Sequence, residues 1–158
     1  MASADFWRLI TAIGDFQTVV AIILISLIIY AVSSKSKKHR IAWLALVLVT
    51  SLLASTALAE IIKISTQIPR PCIGSADCPS GYSFPSRHAA TMFALVAAVW
   101  LNIKNFRIKL TFLALAMLVS ISRVVLGYHT HLDILGGAIL GISIAYIAHY
   151  IYRRSLQT

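Results

Sequence analysis

Charge is scarce in this chain. Only 12% of its 158 residues are charged, and the five acids are outnumbered by fourteen lysines and arginines. A typical soluble domain is about 25% charged and about 45–50% apolar, whereas here 59% of residues are hydrophobic and the mean hydropathy is +0.84. Surface-to-volume scaling leaves a fold of this size too little interior to hide that excess. A water-soluble monomer is therefore excluded, and so apolar a composition equally excludes a disordered chain. Cysteine is almost missing: Cys72 and Cys78 cannot build a disulfide-rich scaffold. Proline is absent from most of the chain, and all four residues (Pro69, Pro71, Pro79, Pro85) fall in one stretch. Proline breaks helix interiors, so long helices are open to the rest. No internal repeat or low-complexity tract is present.

What the chain does have is long apolar runs. A bilayer core about 30 Å thick needs roughly 20 apolar residues in a helix. Five segments meet or approach that length: Thr11–Val32, Ile41–Ile62, Ser86–Ile103, Ile108–Leu126 and His131–Tyr152. They predict an all-α, polytopic membrane helix bundle with about five transmembrane helices, forming one domain over residues 1–158. Ile64–Pro85 is the long polar connection and predicts a structured loop.

The cations are sorted. Lys35, Lys37, Lys38 and Arg40 follow the first segment, Lys104, Arg107 and Lys109 the third, and Arg153 and Arg154 the fifth. Five spans place all of these on one side, which the positive-inside rule makes cytoplasmic. The expectation is an integral cell-membrane protein with its N-terminus outside and its C-terminus cytoplasmic. The basic runs read as topology rather than as a nucleic-acid surface. The remaining cations are Arg8, Lys63, Arg70, Arg87 and Arg123. Most fall at the extracytoplasmic ends of helices or in the long loop, where cations near hydrocarbon are costly and call for an anion.

Three stretches meet at that face: Lys63 to Arg70-Pro71, then Pro85-Ser86-Arg87-His88, then Ser122-Arg123 through His129 to Asp133. Lys63, Arg70 and Arg123 supply donors suited to phosphate oxygens. Ser86 follows a proline and opens a helix, so its neighbouring N–H groups offer a phosphate seat. His129 and Asp133 share one helix face at i,i+4. A carboxylate on one imidazole nitrogen leaves the other free to attack, and His88 is a second imidazole able to protonate a leaving group. Phosphoryl transfer asks mainly for positioning and charge stabilisation.

These stretches resemble the tripartite signature of the type 2 phosphatidic acid phosphatase superfamily, which also includes the vanadium haloperoxidases. That signature reads Lys, six residues, Arg-Pro; Pro-Ser-Gly-His; Ser-Arg, five residues, His, three residues, Asp. It matches at Lys63, Arg70 and Pro71, at Pro85, Ser86 and His88, and at Ser122, Arg123, His129 and Asp133. The resemblance implies a haloperoxidase-like phosphatase core with its signature over 63–133. His129 would form a phosphohistidine, supported by Asp133. His88 would protonate the leaving group and then assist water. Lys63, Arg70, Ser86 and Arg123 would hold the phosphoryl oxygens, with no cofactor and no metal. One departure is Arg87, where the family carries glycine. This resembles the polyprenyl-diphosphate phosphatases, and Arg87 would then meet a second phosphate; its alternative is a cation facing solvent or headgroups.

The expected activity is hydrolysis of a membrane lipid phosphate, with a polyprenyl diphosphate favoured. Phosphatidylglycerophosphate or phosphatidic acid hydrolysis, phosphotransfer to an alcohol, and non-catalytic anion or lipid binding are the alternatives. Several residues carry two readings. Cys72 and Cys78 are a disulfide stiffening the loop, or two free thiols. Glu60 is an i,i+3 partner of Lys63 easing its cost, or a guide to where Lys63 points. His131 is an interfacial hydrogen-bonding group or a substrate contact. Gly137 and Gly141, with Gly136, permit close helix approach within the chain or between copies.

Overall fold

The computed structural model of the chain describes residues 3–15, 21, 25, 28 and 35–155. Among the described residues there are five helices and no strand: α1 (Ala4–Ala12), α2 (Lys35–Thr66), α3 (Arg87–Asn102), α4 (Phe106–Val125) and α5 (His131–Ser155). Ala42–Thr66, Phe106–Val125 and His131–Arg154 are each long and apolar enough to cross a membrane. Their outward positions, such as Leu53, Ile61, Ile139 and Ile147, are large, apolar and exposed. That surface belongs in lipid rather than water, and the chain is an integral membrane protein.

Two of the expected spans need comment. The third exists as α3, but its 16 residues reach only about 24 Å, short of a bilayer core. It is instead the innermost helix, with eleven of its residues buried. The span expected over Thr11–Val32 is interrupted at its start: α1 ends at Ala12, and Ile13–Asp15 form a turn. The rest of that segment, apart from residues 21, 25 and 28, lies outside the described residues.

Small residues explain why α3 occupies the centre. Ala89, Ala90, Ala94 and Ala98 are fully buried along it. Leu95, Ala98 and Val99 pack with Val47, Leu48 and Leu52 of α2 and with Ala145 of α5. Met92 and Val96 pack with Ala116 and Val119 of α4. The glycines of α5 are the counterpart. A Cβ on Gly137 would strike the Ser86 carbonyl oxygen, one on Gly141 the Ala90 carbonyl oxygen, and one on Gly136 the Phe84 ring. This seam therefore serves packing within the chain, α5 lying against the backbone of α3 as small-residue stripes permit.

The basic segments gather at one end of the bundle. There the Trp43 indole Nε1 donates to Asn102 Oδ1 at 3.0 Å, joining the start of α2 to the end of α3. The Tyr152 ring meets the same indole edge-on at 6.0 Å. The three signature stretches gather at the other end.

The α3–α5 seam leaves no room for a side chain at Gly141. Gly141→Leu is expected to cost at least about 1–3 kcal/mol by overpacking, seen as a lowered thermal midpoint in detergent, whereas Ile142→Leu on the partly exposed face should leave the midpoint unchanged.

Candidate active site

The end of α4 sets the geometry. Gly127 has φ +71°, its N–H bonds to the Val124 carbonyl at 2.9 Å, and the Tyr128 N–H reaches back to the Arg123 carbonyl at 3.0 Å. That pair of bonds is the Schellman closure, which calls for glycine in the left-handed position. It folds Tyr128 back over Arg123, whose guanidinium carbon lies 4.7 Å from the ring centroid, a cation–π contact. His129 follows directly and is turned into the bundle.

The start of α5 fixes the partner of His129. Thr130 Oγ1 accepts from the Asp133 N–H at 3.2 Å, and Asp133 Oδ2 accepts from the Thr130 N–H at 2.7 Å. This reciprocal pair is a capping box with aspartate in the third position, and the helix dipole favours the negative charge there. Ser83 Oγ donates to the same carboxylate oxygen at 2.5 Å. Asp133 Oδ2 lies 3.6 Å from His129 Nδ1, and Ser83 Oγ lies 3.5 Å from that nitrogen. The network assigns the proton to Nδ1 and turns the lone pair of Nε2 toward Arg70, whose Nη1 lies 3.1 Å away.

The loop between α2 and α3 is stitched down by the signature cations. Lys63 Nζ donates to the carbonyls of Tyr82 at 2.7 Å and Ser83 at 3.3 Å. Arg70 donates to the carbonyls of Gly81 and Tyr128. Cys72 and Cys78 are bonded, with Cα atoms 5.5 Å apart. Ser86 is the N-cap of α3; its Oγ accepts from the Ala89 N–H at 3.4 Å, and its own N–H bonds to the Asp133 carbonyl at 2.9 Å.

A cavity of about 590 Å³ opens between these elements. Lys63, Arg70, Arg87, His88, Arg123 and His129 all line it, so both imidazoles and every predicted cationic ligand share one chamber. Asp133 and Ser86 stand behind that lining, both buried. His131 is exposed at the start of α5. Arg123 is buried, and its Nε–H is a buried donor without a partner. Among the described residues no group of three His, Cys, Asp or Glu side chains is placed to hold a metal ion. A smaller apolar cavity of about 170 Å³, lined by Leu52, Leu53 and Ala57, adjoins the first and shares Glu60 and Arg87 with it.

The Glu60 carboxylate pairs with Arg87 Nη1 at 3.3 Å, while the Lys63 ammonium turns to the loop carbonyls. Three further residues carry no signal in the sequence motifs. Ser83 supports Asp133. Thr11 Oγ1 accepts from Arg123 Nη1 at 2.8 Å. Asp15 Oδ1 lies 2.7 Å from His88 Nε2. Thr11 and Asp15 also line the cavity.

Burial depresses the His129 pKa far below the ordinary imidazole value, and the charges of Arg70, Arg123 and Lys63 push it the same way. Its ring is thus held neutral. Burial also lowers the Arg70 pKa, with Arg87 adding to it; a guanidinium stays charged nonetheless.

Residues 44–157 match the model of the PAP2 superfamily. Two solved structures are similar. Aquifex aeolicus LpxE is 23% identical, with a TM-score of 0.75 over 92% of this chain and 84% of that one. A transmembrane PAP2 type phosphatidylglycerolphosphate phosphatase from Bacillus subtilis is 20% identical, with a TM-score of 0.77 over 96% of this chain and 77% of that one. Comparison with curated proteins found no significant match.

An NMR titration of labelled histidine should find His129 still neutral at about pH 5, well below the ordinary value of about 6.5. Arg70→Ala removes a positive charge beside Nε2 and should move the titration upward; a wild-type midpoint near the ordinary value would contradict these electrostatics.

Proposed function

The chain belongs to the PAP2 superfamily, and from that premise we propose that it hydrolyses a membrane lipid phosphate through a covalent intermediate on His129. The observation that carries this reading is the shared chamber: a neutral imidazole and a second imidazole face one space lined by Lys63, Arg70 and Arg123.

The lone pair of His129 Nε2 attacks phosphorus. Asp133 and Ser83 hold the Nδ1 proton side of the ring, so the positive charge that develops on bond formation is met by a carboxylate. Lys63, Arg70 and Arg123 bind the phosphoryl oxygens, Arg70 exchanging its contact with Nε2 for the substrate. The N–H groups at the start of α3, beyond the Ser86 cap, add a seat for the same oxygens. His88 gives its proton to the departing oxygen and then takes one from the water that cleaves the phosphohistidine. Ser86 acts in this scheme through the helix end it caps. No metal or cofactor is called for. The adjoining apolar cavity supports a substrate with a hydrocarbon chain, leaving the phosphate among the cations. The site would lie at the extracytoplasmic face, with the basic helix ends in the cytoplasm.

The finer reading is a polyprenyl diphosphate, converted to the monophosphate and inorganic phosphate. Arg87 supports it, because its guanidinium sits where the two cavities meet and its partner Glu60 can be exchanged for a second phosphate. A glycerolipid monophosphate, as named for the Bacillus subtilis neighbour, is the competing substrate.

His129→Ala should abolish phosphate release from lipid phosphates in detergent while leaving lipid binding intact, and excess chelator should leave the wild-type rate unchanged. Retained turnover in the variant would remove the phosphohistidine step. Arg87→Gly should lower diphosphate hydrolysis at least tenfold more than monophosphate hydrolysis; equal losses would sink the diphosphate preference.

A further inference from the structure

The family match begins at residue 44, yet the end of α1, with the turn after it, reaches into the chamber well before that point. It makes three contacts there. Thr11, buried, accepts from Arg123 Nη1 at 2.8 Å. Gly14 lies flat against the general-acid candidate: a Cβ built on it would sit 2.9 Å from His88 Cδ2 and 2.8 Å from Val119 Cγ1. Asp15, the next residue, places Oδ1 2.7 Å from His88 Nε2. Any side chain at position 14 would push the ring away, so glycine is what lets the carboxylate arrive at that nitrogen. Arg8 anchors the same segment to the loop through Asp77 at 2.9 Å.

We infer that Asp15 is a positioning residue for the reaction, holding the His88 imidazolium in place and compensating its charge as it serves the leaving group. This rests on the reading of His88 as proton donor. A donor imidazole must carry a positive charge inside a chamber that already holds Lys63, Arg70, Arg87 and Arg123. Like charges at such range disfavour it, and the nearest compensating carboxylate is Asp15. Its side chain is half exposed on a turn, so it can shift as the substrate's leaving oxygen comes to share the Nε2 proton. In the first half-reaction the P–O ester bond breaks with its electron pair going to the leaving oxygen. That oxygen takes the proton from His88, and the P–N bond to His129 forms. Once His88 is neutral, Asp15 stands ready to stabilise the next proton it acquires from water.

The test separates proton donation from binding by the leaving group. An alkyl phosphate needs a proton on its departing oxygen, whereas 4-nitrophenyl phosphate expels a stable anion unaided. Single-turnover release of the alcohol is measured for both esters with the full-length protein in detergent, for Asp15→Asn, Asp15→Ala and His88→Ala. Asp15→Asn keeps the shape and a hydrogen-bonding oxygen, and should fold as the parent does. It is expected to slow the alkyl ester by about tenfold or more, within the range of general-acid effects, and the nitrophenyl ester by less than about threefold. Equal losses on both esters in Asp15→Asn would reduce Asp15 to a structural role. A faster Asp15→Ala enzyme would make it a competitor of the substrate, and either result overturns the inference. His88→Ala distinguishes the two levels. If it discriminates between the esters and Asp15→Asn does not, only the role of Asp15 fails; if it slows both esters alike, the donor assignment itself fails.

Discussion

A carboxylate buried to 2% exposure is tolerated only where donors surround it, and Asp133 is surrounded by three neighbours from two connections of the chain. Thr130 gives a backbone N–H, Ser83 gives a hydroxyl, and the ring of His129 stands beside the same oxygen. The backbone carbonyl of Asp133 meanwhile accepts from Ser86. One residue therefore ties the loop before α3, the start of α3 and the start of α5 to each other. Removing its charge would free the imidazole and also weaken the capping box that starts α5. This is why the His129 ring can be held in place on a connection rather than on a helix: its surroundings are over-determined even though its own backbone is not regular.

The cations present the opposite situation. Lys63, Arg70, Arg87 and Arg123 face the chamber with only Glu60 and Asp15 as anionic company. Lys63 and Arg70 spend donors on loop carbonyls, and Arg123 on Thr11 and the Tyr128 ring. These neutral partners satisfy hydrogen bonds without cancelling charge. The Arg123 Nε–H has no partner at all, a cost of about 1–3 kcal/mol for a buried donor. On the proposed reading, a phosphate entering the chamber relieves both the repulsion and the orphan donor.

The positions of the last two helices were well legible in the sequence, because apolar length marks them. Expected segments Ile108–Leu126 and His131–Tyr152 became Phe106–Val125 and His131–Ser155. The signature residues were legible because their spacing is local: six residues between Lys63 and Arg70, three between His129 and Asp133. Partnerships across the chain were not. Asp15 and His88 are 73 positions apart, and Thr11 and Arg123 are 112 apart; no periodicity relates them. Glu60 illustrates the same limit. The i,i+3 rule offered Lys63 as its neighbour, but Lys63 finds two carbonyls on the loop and Glu60 turns to Arg87 on another helix. Ser83 is hidden for a different reason, since a lone serine in a loop gives no sign that a carboxylate lies beneath it.

The shortness of α3 gives the chamber its depth. Trp43 and Asn102 bring the basic ends of α2 and α3 to one level. From there α3 rises about 22 Å to Arg87, while α2 rises about 35 Å to Thr66. Glu60 lies about 25 Å up α2, which is the level of Arg87 and explains why those two side chains meet. Helix α2 therefore continues about two turns or slightly more past the start of α3, and the loop fills the difference. The chamber is recessed rather than perched on the surface. On the proposed reading, a lipid can bring its phosphate down into the cations without its chain leaving hydrocarbon. The α3 helix can be this short because α2, α4 and α5 cover its sides, so little of its length has to match the bilayer.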